Sequence, residues 1–197
     1  MPRDQIQQRL RDMIGVKEAL LADAALIATV SEIVGAVTDA LRAGGKILFC
    51  GNGGSAADAQ HLAGELSARF YRDREPLFAE ALHVNSSYLT AVANDYDYSE
   101  TFARALAAKG RGGDVLVALS TSGRSANILR AVDRANEIDV VTIGMTGQDG
   151  GELRERCRYL LAVPSTDTPR IQECHVALGH IICELVEAAM FPEAPRA

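Results

Sequence analysis

Five short, mostly apolar runs mark this chain: Lys46–Cys50, Ala79–Val84, Val115–Leu119, Val140–Gly144 and Tyr159–Val163. Each is followed by a polar or glycine-containing turn and then by residues at helical spacing. A strand buried on both faces reads as an unbroken apolar run, because neither face meets water. Strands that alternate with helices need crossover connections, and these place helices on both faces of a parallel sheet. The expected fold is therefore α/β: a flavodoxin-like three-layer sandwich around a central five-stranded parallel sheet. The first ~43 residues precede the sheet and read as helical, with breaks expected near Asp23 and at Gly35. Gly44-Gly45 ends that segment, as glycine does at a helix C-terminus. The chain reads as one domain over 1–197, with the helical segment 1–43 serving oligomerisation and an α/β core over 44–191. Pro192 and Pro195 close a short tail.

In parallel α/β sheets, ligands lie outside the strand C-terminal ends. Two turns fall there. The first, Ser120-Thr121-Ser122-Gly123-Arg124-Ser125, links the run ending at Leu119 to a helical pattern of Ile128, Leu129, Val132 and Ala135. Free backbone N–H groups and the positive helix end make such a turn an anion site, and four hydroxyls add donors. It holds one Arg and no Lys, which suits a single phosphate on a small molecule better than a polyphosphate. The second turn, Gly51-Asn52-Gly53-Gly54-Ser55-Ala56, fits the dinucleotide pattern G-x-G-x-x-A. That reading requires a carboxylate at the end of the second strand, where the chain has His83-Val84-Asn85 instead. Close approach of the backbone to another ligand explains the glycines equally well.

The helix after Gly54 is read as running to about Phe70. It sets Ala59, Leu62, Ala63, Leu66 and Phe70 on one face and Asp58, His61, Glu65 and Arg69 on another. His61 and Glu65 stand at i and i+4, so their side chains converge, and an imidazole with a carboxylate suits zinc. The alternative is a solvated, salt-bridged face. On the last helix, Ile171, Cys174, Leu178, Ile181, Ile182, Leu185 and Ala189 form an apolar stripe at ~100° per residue. His175 lies at its edge and reads as structural. His180 projects opposite, flanked by Gln172, while Val176, Cys183 and Val186 make that second side apolar too. A helix apolar on most sides points to an oligomer interface. Gln172 and His180 are ~12 Å apart along the axis, so joining them in one site requires reach or a second subunit.

Formal net charge is −6 with a pI near 5.2, which argues against non-specific nucleic-acid binding. No apolar run approaches the roughly 20 residues of a membrane span, and Met1–Leu10 lacks a signal-peptide apolar region. A cytoplasmic protein with no membrane partner is expected. The four cysteines, Cys50, Cys157, Cys174 and Cys183, form no C-x-x-C pair and read as reduced core residues.

The pairing of Gly51-Asn-Gly-Gly-Ser-Ala-Ala-Asp-Ala-Gln-His61 with Ser120-Thr-Ser-Gly-Arg-Ser125 resembles the sugar isomerase (SIS) superfamily. His61-Leu-Ala-Gly-Glu65, Ala93-Asn-Asp95 and Arg170-Ile-Gln-Glu-Cys-His175 through His180 narrow the resemblance to the phosphoheptose isomerases over nearly the whole chain. That resemblance implies interconversion of sedoheptulose 7-phosphate and D-glycero-D-manno-heptose 7-phosphate. It implies an acid/base pair, Glu65 and His180, and one zinc ion per subunit on His61, Glu65, Gln172 and His180. Phosphate-binding Ser120, Thr121, Ser122 and Ser125 follow from it, with Asn52, Gly53, Gly54, Ser55, Asn94 and Asp95 lining the sugar. Arg69 and Gln172 are also counted as substrate-binding. It further implies a homotetramer with inter-subunit active sites and a role at the start of nucleotide-activated heptose synthesis for lipopolysaccharide or capsule. Arg124 and the Thr168-Pro169 segment depart from the family pattern. Two alternatives stand beside this reading: a non-catalytic SIS tetramer that binds a replication-initiator protein, and an isomerase of another sugar phosphate.

Overall fold

The structure, a computed structural model, describes residues 2–192, so Pro195 lies outside the described residues. Two helices open the chain, α1 (Pro2–Ala22) and α2 (Ala24–Arg42). The break falls at Asp23, whose carboxylate caps α2 by accepting from the amides of Ala25 and Leu26 at 3.0 Å each. The break expected at Gly35 does not occur. A mid-helix glycine costs about 1 kcal/mol, and burial of Ile33, Val37 and Leu41 against the core outweighs it.

The core then alternates as expected: β1 (Ile47–Gly51), α3 (Gly54–Ser67), β2 (Ala79–Ala81), α4 (Ser86–Asp95), α5 (Thr101–Lys109), β3 (Val115–Leu119), α6 (Ala126–Glu137), β4 (Val141–Thr146), β5 (Tyr159–Ala162) and α7 (Thr168–Met190). Short 3₁₀ turns precede α5 and β5. All pairings are parallel and the strand order is β2-β1-β3-β4-β5, the flavodoxin-like order. Alternate residues of the central strands feed two cores. Ile47, Phe49, Val117 and Met145 pack under α2, α3 and α7, and Leu48, Cys50, Leu116 and Ala118 pack under α5 and α6. Each fully buried aliphatic side chain contributes about 2 kcal/mol, which is why the strands carry almost no polar residues.

Three boundaries differ from the sequence reading. Helix α3 stops at Ser67 rather than near Phe70, because the amides of Phe70, Tyr71 and Arg72 turn away to the carboxylate of Glu187. Asn94 and Asp95, expected in a polar loop after a helix over 87–93, form the last turn of α4. On α7, the buried face runs through Ile171, Cys174, His175, Leu178, Cys183 and Val186, and Ile181 and Leu185 are left exposed. One helix among the described residues, α2, is long and apolar enough to cross a membrane, with mean hydropathy 1.6 over 19 residues. It carries Glu32 and Asp39, and one side of it, Leu26, Val30, Ile33, Val37 and Leu41, is core. All four cysteines are free; burial pushes the Cys157 and Cys183 thiols up to about 12, which keeps them protonated and inert.

Candidate active site

The chain leaves β1, returns by β2, and crosses to β3 on the other side of β1. The switch point of the sheet is thus the crevice between β1 and β3. Both predicted loops open there. Gly53, the residue before α3, has φ 56° and ψ −121°, a conformation that only glycine adopts without strain. Nothing lies within 4 Å of where its Cβ would be, so the backbone there is bare to a ligand. Asn52 is fixed from three directions. It exchanges amide hydrogen bonds with Asn127 at 2.8 and 2.9 Å, and its Oδ1 accepts from the Tyr98 hydroxyl at 3.0 Å.

After β3, Ser120 is buried and its Oγ lies 3.1 Å from Ser125 Oγ and 3.5 Å from Ser122 Oγ. Three hydroxyls therefore converge beside the N-terminus of α6, and Thr121 and Ser122 line a cleft of about 500 Å³ with Gln148, Ser165, Thr168 and Ile171. Gly123, at φ +64°, makes the turn against the Gly150 backbone. Arg124 and Asp149 line the same cleft, and the Arg124 amide donates to Ser122 Oγ at 3.2 Å. The Arg124 guanidinium donates to Asp149 at 2.7 Å and to the Ser122 carbonyl at 3.0 Å, both at the surface. Pairing with Asp149 offsets the charge of Arg124.

The second cluster lies on α3 and α7, which run side by side. His61 Nε2 and His180 Nε2 are 2.6 Å apart, and His61 Nε2 is 3.5 Å from Glu65 Oε1. One ligand atom from each of the three lies within 4.8 Å of the others. Two imidazole nitrogens and a carboxylate oxygen at this closeness fit a borderline-soft divalent ion such as zinc. Both Nε2 lone pairs are then available when each ring carries its proton on Nδ1. Asp58, one turn before His61, has a buried Oδ2 without a hydrogen-bond partner, and burial raises its pKa while the nearby His61 pulls it down.

Gln172 sits at the start of α7 against Gly54, with its Nε2 2.6 Å from the position a Gly54 Cβ would take. It therefore lies at the other end of the α3–α7 groove from the His61, Glu65 and His180 cluster, as the helix rise requires. Arg69 is exposed past the end of α3, off the helix face on which it was placed. Asn94 and Asp95 bond to each other at 2.9 Å on the exposed end of α4. Tyr98 and Asn127, which anchor Asn52, were not singled out from sequence. Their signals were faint: a tyrosine in a polar loop, and an asparagine inside the first turn of α6.

A sequence profile for the SIS domain matches residues 11–147 of this chain. The phosphoheptose isomerase of Rhodospirillum rubrum is 56% identical over 161 residues, covering 82% of this chain and 86% of that protein. That of Aneurinibacillus thermoaerophilus is 47% identical over 188 residues, 95% of either chain. The chain belongs to the SIS domain family, among its phosphoheptose isomerases. As a member it is an enzyme, a sugar-phosphate isomerase. The structure of phosphoheptose isomerase GmhA from Neisseria gonorrhoeae, 38% identical, superposes with a TM-score of 0.90 over 95% of this chain and 100% of that one. The five-stranded sheet and its flanking helices are thus the SIS fold.

Proposed function

We propose that this chain interconverts sedoheptulose 7-phosphate and D-glycero-D-manno-heptose 7-phosphate, the first step toward a nucleotide-activated heptose for lipopolysaccharide or capsule. The observation that carries this reading is the convergence of His61, Glu65 and His180 from two helices, in a chain whose central strand β3 also ends in a hydroxyl-lined anion turn. A silent sugar-phosphate binder needs the turn and has no use for the cluster.

Ser120, Thr121, Ser122 and Ser125, with the first amides of α6, hold the phosphate and so orient the far end of the sugar. Asn52, Gly53, Gly54 and Ser55, with Asn94, Asp95 and Arg69, line the sugar. Aldose–ketose isomerisation moves one proton between adjacent carbons through an enediol. Glu65 takes the proton from C1 of the ketose as His180 gives one to O2. The proton is then returned to C2 while the O1 proton leaves, and the aldehyde forms at C1. Over a full turn no net proton is gained or lost.

His61, Glu65 and His180 are the residues of one chain that would hold zinc; Gln172, at the other end of the groove, completes the set by reach or from a second subunit. What such an ion supplies when bound is Lewis-acid polarisation of the substrate carbonyl. The working enzyme is a cytoplasmic homotetramer whose active sites lie between subunits, a reading supported by the exposed apolar side of α7. Incubation with sedoheptulose 7-phosphate, followed by NMR for an aldoheptose phosphate, tests the reaction.

A further inference from the structure

Helix α3 ends two residues after Glu65, and the groups that close it off have no part in the reaction above. Its last carbonyls lack partners within the helix. Arg74 takes them: Nη2 donates to the Glu65 carbonyl at 2.9 Å, and Nη1 donates to the Leu66 carbonyl at 2.7 Å and the Ala68 carbonyl at 3.2 Å. The Nε of the same guanidinium donates to Glu187 on α7 at 2.9 Å. Glu187 also accepts from the amides of Phe70, Tyr71 and Arg72 at 3.1, 2.9 and 3.1 Å. Both side chains are only 2% exposed. The pair thus ties the last turn of α3, the turn after it and the second half of α7 into one buried network.

The network reaches both members of the acid/base pair. The backbone of Glu65 is one of its bonded groups. Glu187 follows His180 by seven residues, two turns, so both project from nearly the same side of α7. Between them lies Phe70, whose amide is held by Glu187 and whose ring centroid is 5.5 Å from that of His180. Leu62 presses into the position where a Gly179 Cβ would stand, so α3 and α7 touch directly beside the cluster. A buried ion pair is a poor way to gain stability, since apolar residues of the same volume often do as well. It is a good way to fix a distance, because a guanidinium fork and a carboxylate accept one arrangement.

We propose that Arg74 and Glu187 are positioning residues that set the separation of Glu65 and His180. This rests on the acid/base reading above. Neither residue faces the substrate, so their loss is expected in kcat, with KM for the sugar phosphate held within about twofold by the distant serine turn.

Three variants test this. Arg74→Lys keeps the charge and loses the fork; Glu187→Gln keeps the size and loses the charge; Glu187→Asp keeps the charge and shortens the reach. In each, kcat is expected to fall roughly tenfold or more, and zinc affinity, measured by competition with a chelator, is expected to fall by a similar factor, as for other groups that orient metal ligands. Glu187→Asp should keep the most activity. A folded variant with wild-type kcat and zinc affinity would overturn the proposal. So would failure of all three to fold, since the pair would then be a folding requirement. Wild-type turnover measured alongside separates the two claims. If the wild type is inactive, the reaction is wrong, and zinc affinity alone decides whether the pair positions the cluster.

Discussion

Glu65 carries two duties in this account, proton transfer and a place in the metal set, and these pull in opposite directions. A cation favours the ionised carboxylate and so weakens it as a base. Glu65→Gln removes the base and leaves an oxygen donor, and His180→Gln removes the partnering acid. Each is expected to lower kcat by roughly 10²- to 10⁴-fold, the usual contribution of a positioned acid or base. Zinc content measured on the same preparations separates the duties: zinc kept with turnover lost assigns Glu65 to proton transfer, and full activity in either variant removes that residue from the pair. At this scale much of the site was legible. The serine turn and the His61–Glu65 spacing are local patterns, six and five residues long, that chemistry alone interprets. Tyr98 and Asn127 were not legible, because their meaning lies in bonds to Asn52, which is 46 and 75 positions away. The Arg74–Glu187 pair, 113 positions apart, was hidden for the same reason.

Among the elements, α7 does most to join the fold to the site. It presents Gln172 and His180 to α3, Glu187 to the chain beyond α3, and His175 to the sheet. His175 is fully buried, and its Nε2 lies 3.1 Å from the Thr146 carbonyl at the end of β4. Burial lowers its pKa from 6.5 to about 4, so it folds as the neutral ring and donates to that carbonyl. The unfolded chain takes up a proton below pH 6.5 that the folded chain refuses until about pH 4. Stability from this residue is therefore intact above that upper value and declines as pH falls through the window. Chemical denaturation should show wild type losing about 2 kcal/mol more between pH 7 and pH 5 than His175→Gln does. Equal losses would contradict this. The type of each element was clear from its apolar period, and its ends were less so. Helix α3 stops early because Glu187 competes for the next amides, and α2 runs through Gly35 because packing outweighs a local preference. Both outcomes are tertiary effects on local signals.

At the scale of the whole molecule, an apolar side is left uncovered. Leu21 is 76% exposed, Ile27 48%, and Ile181 and Leu185 44% each. They border a groove of about 610 Å³ between α1, α2 and α7. The sequence reading of α7 placed its sides otherwise: Cys183 and Val186, read as the second apolar side, are core, and Ile181 and Leu185, read on the stripe, face outward. If copies of the chain cover the groove, Leu185→Glu should shift the sedimentation coefficient from that of a tetramer to that of a smaller species. Unchanged sedimentation would place the interface elsewhere. If the active sites lie between subunits, as proposed, activity should fall together with assembly.

The isomerisation itself is open to a single measurement. Purified protein is incubated with sedoheptulose 7-phosphate, with and without a chelator, and the sugar phosphates are resolved by NMR. An aldoheptose 7-phosphate is expected to appear without chelator, and its rate of formation is expected to fall when the metal is removed. Absence of any aldoheptose phosphate under both conditions would contradict the proposed isomerisation.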